Sequence, residues 1–313
     1  MIYKHFILTR FNIPFVKEYG NEFLLAKDYL DKRFDIFYRF CVQSIINQSN
    51  KNFTWFILFD ANTPNRYKEK NQDLFCSFPN IIPIYINIQE LKNQKNLEFY
   101  LQEVHSIISK NNNNVNELGI NYEDFFSRVL LPNFLNNLIL QNIDSDTKYI
   151  ITTRIDNDDC FETDMIKFIQ QQATDAHIDK ILNFDNGLQY IADKNICQTY
   201  YYPNNHFISI IEPINLPIKT ILYWNHFFID RYKEIIHINT KPLWIEVIHN
   251  NNAQNTLKLS KKDHLLWNAD LYPFGLNKQW NSIVTFVSLL FYPKVYFWPH
   301  IKKFLRSLAK KLT

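Results

Sequence analysis

Glycine is scarce in this sequence. Only Gly20, Gly119, Gly187 and Gly275 occur, and no two stand close enough to build a G-x-G-x-x-G turn or a G-x-x-x-x-G-K-S/T loop. Both motifs need bare backbone so that the chain can approach phosphate. A Rossmann dehydrogenase fingerprint and a P-loop ATPase are therefore excluded, and any nucleotide must be held by something other than a glycine cradle. Cysteine is equally sparse: Cys41, Cys76, Cys160 and Cys197 form no C-x-x-C pair, which argues against a zinc ribbon or a redox motif. Their scattering suits a reduced cytosol, where a thiol behaves as a small core residue. No stretch reaches the roughly 18 uninterrupted apolar residues of a spanning helix. Residues Met1 to Arg10 lack the charged start and small-residue cleavage site of a signal peptide and read as a first buried strand.

Acidic residues are missing altogether after Asp270, where Lys278, Lys294, Lys302, Lys303, Arg306, Lys310 and Lys311 contribute +7. The formal charge of the whole chain is +3, so residues 1–270 carry −4. A mildly acidic body precedes a strongly basic tail. What is present in quantity is apolar: 46% of the 313 residues are hydrophobic and 21% charged, which describes a soluble globular chain of one large domain or two modest ones.

Strand-like runs and helical patterns alternate through the first half, the signature of a mostly parallel sheet covered by helices. Strands are expected at Tyr3 to Leu8, Phe53 to Phe59, Ile81 to Ile86 and Tyr149 to Thr153. Helical spacing marks the stretch from Ile36 to Ile45 and the regions Leu97 to Ile108 and Tyr122 to Leu140. The asparagine run Asn111 to Asn114 has no face to bury and reads as a solvated loop. Farther on, Asn186-Gly187 lies between two apolar runs and predicts a two-residue hairpin, with glycine supplying a positive φ. Short strands at His206 to Ile211 and Leu243 to Ile248 complete a more antiparallel second half.

The passage Tyr149-Ile150-Ile151-Thr152-Thr153-Arg154-Ile155-Asp156-Asn157-Asp158-Asp159 ends a buried strand in three carboxylates within four residues. Open α/β sheets bind ligands at this carboxyl edge, and crowded carboxylates attract a cation. Hard oxygen ligands on a short segment suit Mg²⁺ or Mn²⁺ shared with substrate phosphates. An EF-hand does not fit, because the sixth position counted from Asp156 is Phe161 and the twelfth is Lys167. The plainer reading is a solvated acidic turn that caps a helix beginning near Thr163 and Asp164.

At these residues the chain resembles a GT-A-type glycosyltransferase. The stretch from Phe40 to Asp60, with Gln48-Ser49-Asn50-Lys51-Asn52-Phe53 at its turn, is similar to the helix, turn, strand and terminal aspartate of family 2 glycosyltransferases. The run Thr153 to Asp159, the opening His5 to Asn12 and the passage Pro242 to His249 resemble the rhamnosyltransferases of bacterial surface-polysaccharide pathways. The resemblance implies a GT-A-like α/β fold: a mixed, mostly parallel sheet flanked by helices, with C-terminal helices. It implies transfer of a sugar, rhamnose in the narrowest form, from a nucleotide-sugar donor to a glycan or lipid-linked acceptor, with a divalent metal and with inversion. It places Asp60 against the nucleotide base and Thr9 and Arg10 against base or ribose. Arg154 and Asp156 fall on the donor, while Asp156, Asp158 and His249 fall on the metal. At Asp60 the sequence departs from the family 2 pattern, since Ala61 follows instead of a second aspartate.

Loss of the acceptor hydroxyl's proton calls for a carboxylate base. Glu212, at the end of the His206 to Ile211 strand, is the favoured residue, with Glu246 and Asp263 as competitors. The expected division is a catalytic domain at 1–270, with a nucleotide-sugar half at 1–160 and an acceptor half at 161–270, followed by a basic helical segment at 271–313. In that segment Ile301, Phe304, Leu305, Leu308 and Leu312 form one apolar stripe opposite Lys302, Lys303, Arg306 and Lys310. Such a helix suits an anionic membrane surface, and the expectation is a cytoplasmic protein peripheral to the inner face of the plasma membrane. A docked terminal helix is the plainer alternative. Nucleic acid is not expected, because the body is acidic and no recognition motif accompanies the tail. Two other classes compete with a transferase: a metal-dependent phosphohydrolase, and a sugar-nucleotide or glycan-binding protein without catalysis.

Overall fold

The central strands of the first half form because their apolar runs are buried on both faces. In a computed structural model, which describes residues 2–13, 21–94, 97–110, 125–192, 194–226, 228–249, 263–266 and 269–276, the first strand is β1 (Tyr3–Arg10), where Phe6, Ile7 and Leu8 are all fully buried. Continuous apolar runs of this kind belong to sheets covered by helices on either side. The following strands are β2 (Thr54–Asp60), β3 (Ile81–Ile86), β4 (Tyr149–Arg154), β5 (Cys160–Phe161), β6 (Ile181–Phe184), β7 (Asn186–Ile191), β8 (Ile196–Tyr201), β9 (Ile208–Pro213), β10 (Ile235–Ile238), β11 (Trp244–Ile248) and β12 (Leu265–Leu266).

A seven-stranded sheet has the order β10-β6-β9-β4-β1-β2-β3. β1 is parallel to β2 and β4, β2 to β3, and β10 to β6, while β9 runs antiparallel to β4 and β6. This is the mixed, mostly parallel α/β architecture expected of a GT-A-like chain. Alternation along β1 divides the core. Ile7 faces helices Lys27–Phe37 and Asn65–Phe75 through Leu30, Phe34, Phe37, Tyr67 and Phe75. Phe6 and Leu8 face helices Glu98–Lys110 and Leu131–Leu140 through Tyr100, Val104, Leu131, Leu135 and Ile139. Helix Lys27–Phe37 is pinned by aromatics, with Phe34 stacked on Tyr67 at 4.4 Å and 8°.

A second sheet has the order β12-β8-β7-β11-β5. Here the expected hairpin at Asn186-Gly187 is not formed. β6 pairs in the first sheet and β7 in the second, so Asp185 carries the chain between sheets. The glycine answers a packing demand: a Cβ at Gly187 would lie 2.2 Å from the Trp244 ring. The hairpin instead joins β7 to β8, and Asn195 takes the positive φ of 52° in its turn. The expected strands at 206–211 and 243–248 appear as β9 and β11. The sequence division at 160/161 falls inside β5, and β6, β9 and β10 return to the first sheet, so its strands come from both sequence halves. The Asn111 to Asn114 loop and residues 277–313 of the basic segment lie outside the described residues. No described helix is long and apolar enough to cross a membrane.

Candidate functional site at the carboxyl edge of the first sheet

Strand order reverses between β1, which leads to β2, and β4 on its other side. Crevices that receive ligands open at such a point, outside the carboxyl ends of the strands. Arg10 ends β1, Asp60 ends β2, and the acidic turn Asp156 to Asp159 follows β4. Asn157 ties this turn to β1, its Nδ2 donating to the carbonyls of Arg10 and Phe11 at 2.9 and 3.0 Å.

Each carboxylate of the turn has its own cationic or imidazole partner. Arg154 forks onto Asp156, with Nε and Nη2 donating to the two oxygens at 2.9 Å each, while its Nη1 meets His226 Nδ1 at 3.1 Å. Asp158 Oδ2 lies 3.0 Å from Arg33 Nη1 and 3.0 Å from His249 Nε2. Asp159 is 2.7 Å from His206 Nε2 and accepts the Val247 amide at 2.9 Å. The turn therefore gathers helix Lys27–Phe37, the segment before β9, and β11 around one centre.

The electrostatics follow from this pairing. Burial raises the Asp156 pKa, but Arg154, His206 and Arg10 overcome it and hold that carboxyl well below the usual range. Asp158 behaves alike, with burial opposed by Arg33 and His249. Asp159 is pushed up to about 7 by burial and by the charge of Asp158, against the hydrogen bond from His206. His206, which burial alone would lower, is raised by that same bond and by Asp156. Both members of the Asp159–His206 pair thus hold a proton more tightly than usual. His226 is driven down to about 2 by burial and by the Arg154 charge, so it remains neutral and can accept from the guanidinium.

Of the site residues expected from sequence, Asp156, Asp158, His249, Arg154 and Arg10 come together, with Arg10 acting on Asp156 and His226 through its charge. Thr9 is in the neighbouring strand but its hydroxyl is fully buried and accepts the Trp55 indole N–H at 2.9 Å, a core contact. Asp60 stands at the same sheet edge, where its carboxylate accepts the Asn62 amide at 2.7 Å and its own amide donates to Asn12 at 3.0 Å. Glu212 is not brought to the turn. It pairs in register with Ile150, near the start of β4 and at the opposite end of the sheet, and its oxygens accept the Lys219 and Thr220 amides at 3.1 and 2.9 Å. Glu212 therefore stands apart from the acidic turn, because its strand runs antiparallel and carries its terminal acid toward the start of β4.

Sequence reading missed Asp159, His206, Arg33 and His226. One oxygen each from Asp156 and Asp159 and one nitrogen from His206 lie within 4.8 Å of one another, a set able to hold a metal ion. Asp159 was visible in the acidic run and His206 sat beside the Asn204-Asn205 pair, but nothing local to either marks the contact between them.

The family model described as "Putative rhamnosyl transferase" matches residues 6–117 and 124–261. No curated protein matches the chain. Among solved structures, the apo form of mouse xyloside xylosyltransferase 1 is similar at 11% identity and a TM-score of 0.29, with 61% of this chain and 53% of that one covered. The chain thus spans about half the length of that enzyme.

Proposed function

This chain belongs to the rhamnosyl transferase family, and we propose that it transfers a sugar, rhamnose in the narrowest reading, from a nucleotide-sugar donor to a glycan or lipid-linked saccharide. The observation that carries the proposal is the buried acidic turn at the strand-order reversal, surrounded by arginine and histidine. Its donor set fits a divalent ion such as Mn²⁺ or Mg²⁺. Asp156, Asp159 and His206 supply the converging atoms, and Asp158 with His249 offers a second pair 3.0 Å apart. When bound there, the ion would stabilise negative charge on the departing diphosphate.

The chain's own residues would orient the reactants. Arg154 fixes the plane of Asp156 by gripping both oxygens, as a fork of parallel N–H bonds does. Asp159 anchors His206 on one side and the β11 backbone on the other, so the donor edge and the second sheet keep a fixed separation. Asp60 and Arg10, at the neighbouring strand ends, would meet base and ribose. An inverting reaction needs a carboxylate base at the acceptor. With Glu212 directed elsewhere, that role passes to Glu246 or Asp263. Glu246 lies on β11, the strand that leads into His249, and is hydrogen-bonded by Gln189 at 2.5 Å.

The test is a thermal-shift screen of nucleoside diphosphates and sugar nucleotides with and without Mn²⁺, since a ligand of the native state raises its melting temperature. A metal-dependent rise with at least one nucleotide is expected. No rise with any of them would overturn the transferase reading. For the basic segment 271–313 we propose contact with an anionic membrane surface on the cytoplasmic side, which would bring the enzyme to a lipid-linked acceptor.

A further inference from the structure

Arg33 lies on helix Lys27–Phe37, far in sequence from the acidic turn, yet its side chain is only 15% exposed and ends on Asp158. A buried guanidinium has five N–H donors in a rigid fork and normally spends several of them. Here Nη1 donates to Asp158 Oδ2, an oxygen that His249 Nε2 also approaches at 3.0 Å. The Nε–H of Arg33 is buried and meets no acceptor among the described residues. Leaving such a donor unmet costs free energy, and buried exceptions call for an explanation.

We propose that Arg33 is a ligand for the diphosphate of the donor, and that its unmet Nε–H is the donor this anion takes. The proposal rests on the transferase reading and adds to it a phosphate-binding residue. The chemistry matches on both sides. A diphosphate offers several anionic oxygens, and a planar guanidinium meets them two at a time. Asp158 then has a second duty: it holds the guanidinium in place through one nitrogen and leaves the rest of the fork for the anion. The glycine-poor chain, which has no glycine-rich loop to cradle phosphate, would grip it with a side chain delivered by the first long helix.

The test measures binding of inorganic pyrophosphate, which carries the relevant group without a base, by titration calorimetry in the presence of Mn²⁺. Wild-type protein is compared with Arg33→Lys and Arg33→Met. Lysine keeps the charge beside Asp158 but lacks the fork, so it guards against a variant that fails simply because the Asp158 charge is left uncompensated. Both variants are expected to weaken pyrophosphate binding about tenfold or more, the size of one lost charge-assisted hydrogen bond. Mn²⁺ affinity measured alone should be retained by Arg33→Lys and retained or increased by Arg33→Met. Equal pyrophosphate affinity in wild type and a folded Arg33→Lys would overturn the Arg33 assignment while leaving the transferase reading standing. If wild type binds neither pyrophosphate nor any nucleoside diphosphate, the transferase reading fails and the assignment with it. A loss of pyrophosphate binding in both variants with Mn²⁺ binding retained supports the assignment.

Discussion

Glu212 is a buried acid whose neighbours set a measurable pH dependence. Burial raises it from 4.5 to about 7, opposed by the Lys219 and Thr220 amides that donate to it. The folded chain therefore holds a proton that the unfolded chain releases between those values. The stabilisation from this group is complete below about pH 4.5 and is lost as pH rises toward 7, amounting to at most about 3 kcal/mol. Glu212→Gln should remove this slope: its melting temperature, measured relative to wild type, rises across that window. A difference independent of pH would show that the carboxyl is already ionised throughout. At this scale, legibility depended on whether a residue's partner was local. Asp156 and Arg154 are two positions apart and their pairing could be anticipated. Arg33 and Asp158 are separated by 125 positions, so nothing near Arg33 announces its role. Thr9 stands beside the site, but strand alternation turns its hydroxyl toward Trp55.

Elements of the first half were readable because parallel strands buried on both faces appear as unbroken apolar runs. β1, β2, β3 and β4 fall where those runs do. The second half misled at Asn186-Gly187, where a dipeptide common in hairpin turns is explained by a neighbour rather than by its own φ. That neighbour is Trp244 on β11, whose ring covers the Gly187 Cα and stacks on Phe207 at 4.5 Å. Gly187→Ala places a methyl inside the indole and should destabilise the protein by about 1–3 kcal/mol, the usual cost of overpacking a core. Denaturant unfolding would register this as a lower midpoint with an unchanged slope, and an unchanged midpoint would contradict the contact. β11 is also the element that couples packing to chemistry. Trp244 seats it between the sheets, Val247 binds Asp159, and His249 beyond its end meets Asp158.

Over the whole molecule, charge is divided between an acidic body and a basic end, and that division was readable from composition alone. Removal of residues 293–313 should move the protein from the membrane fraction to the soluble one while leaving nucleotide binding intact, as fractionation and calorimetry would report. An unchanged distribution would sink the membrane proposal. The union of the two sheets was not readable, since it depends on contacts distant in sequence, such as Trp244 with Phe184 and Val247 with Asp159. One of these has a practical side. The Val247 amide belongs to the second sheet but donates to a carboxylate of the first sheet's acidic turn. An amide proton's chemical shift follows the charge on its acceptor, so this hydrogen is a native spectroscopic reporter, carrying news of events at the donor edge to an isotope label placed on a strand of the other sheet.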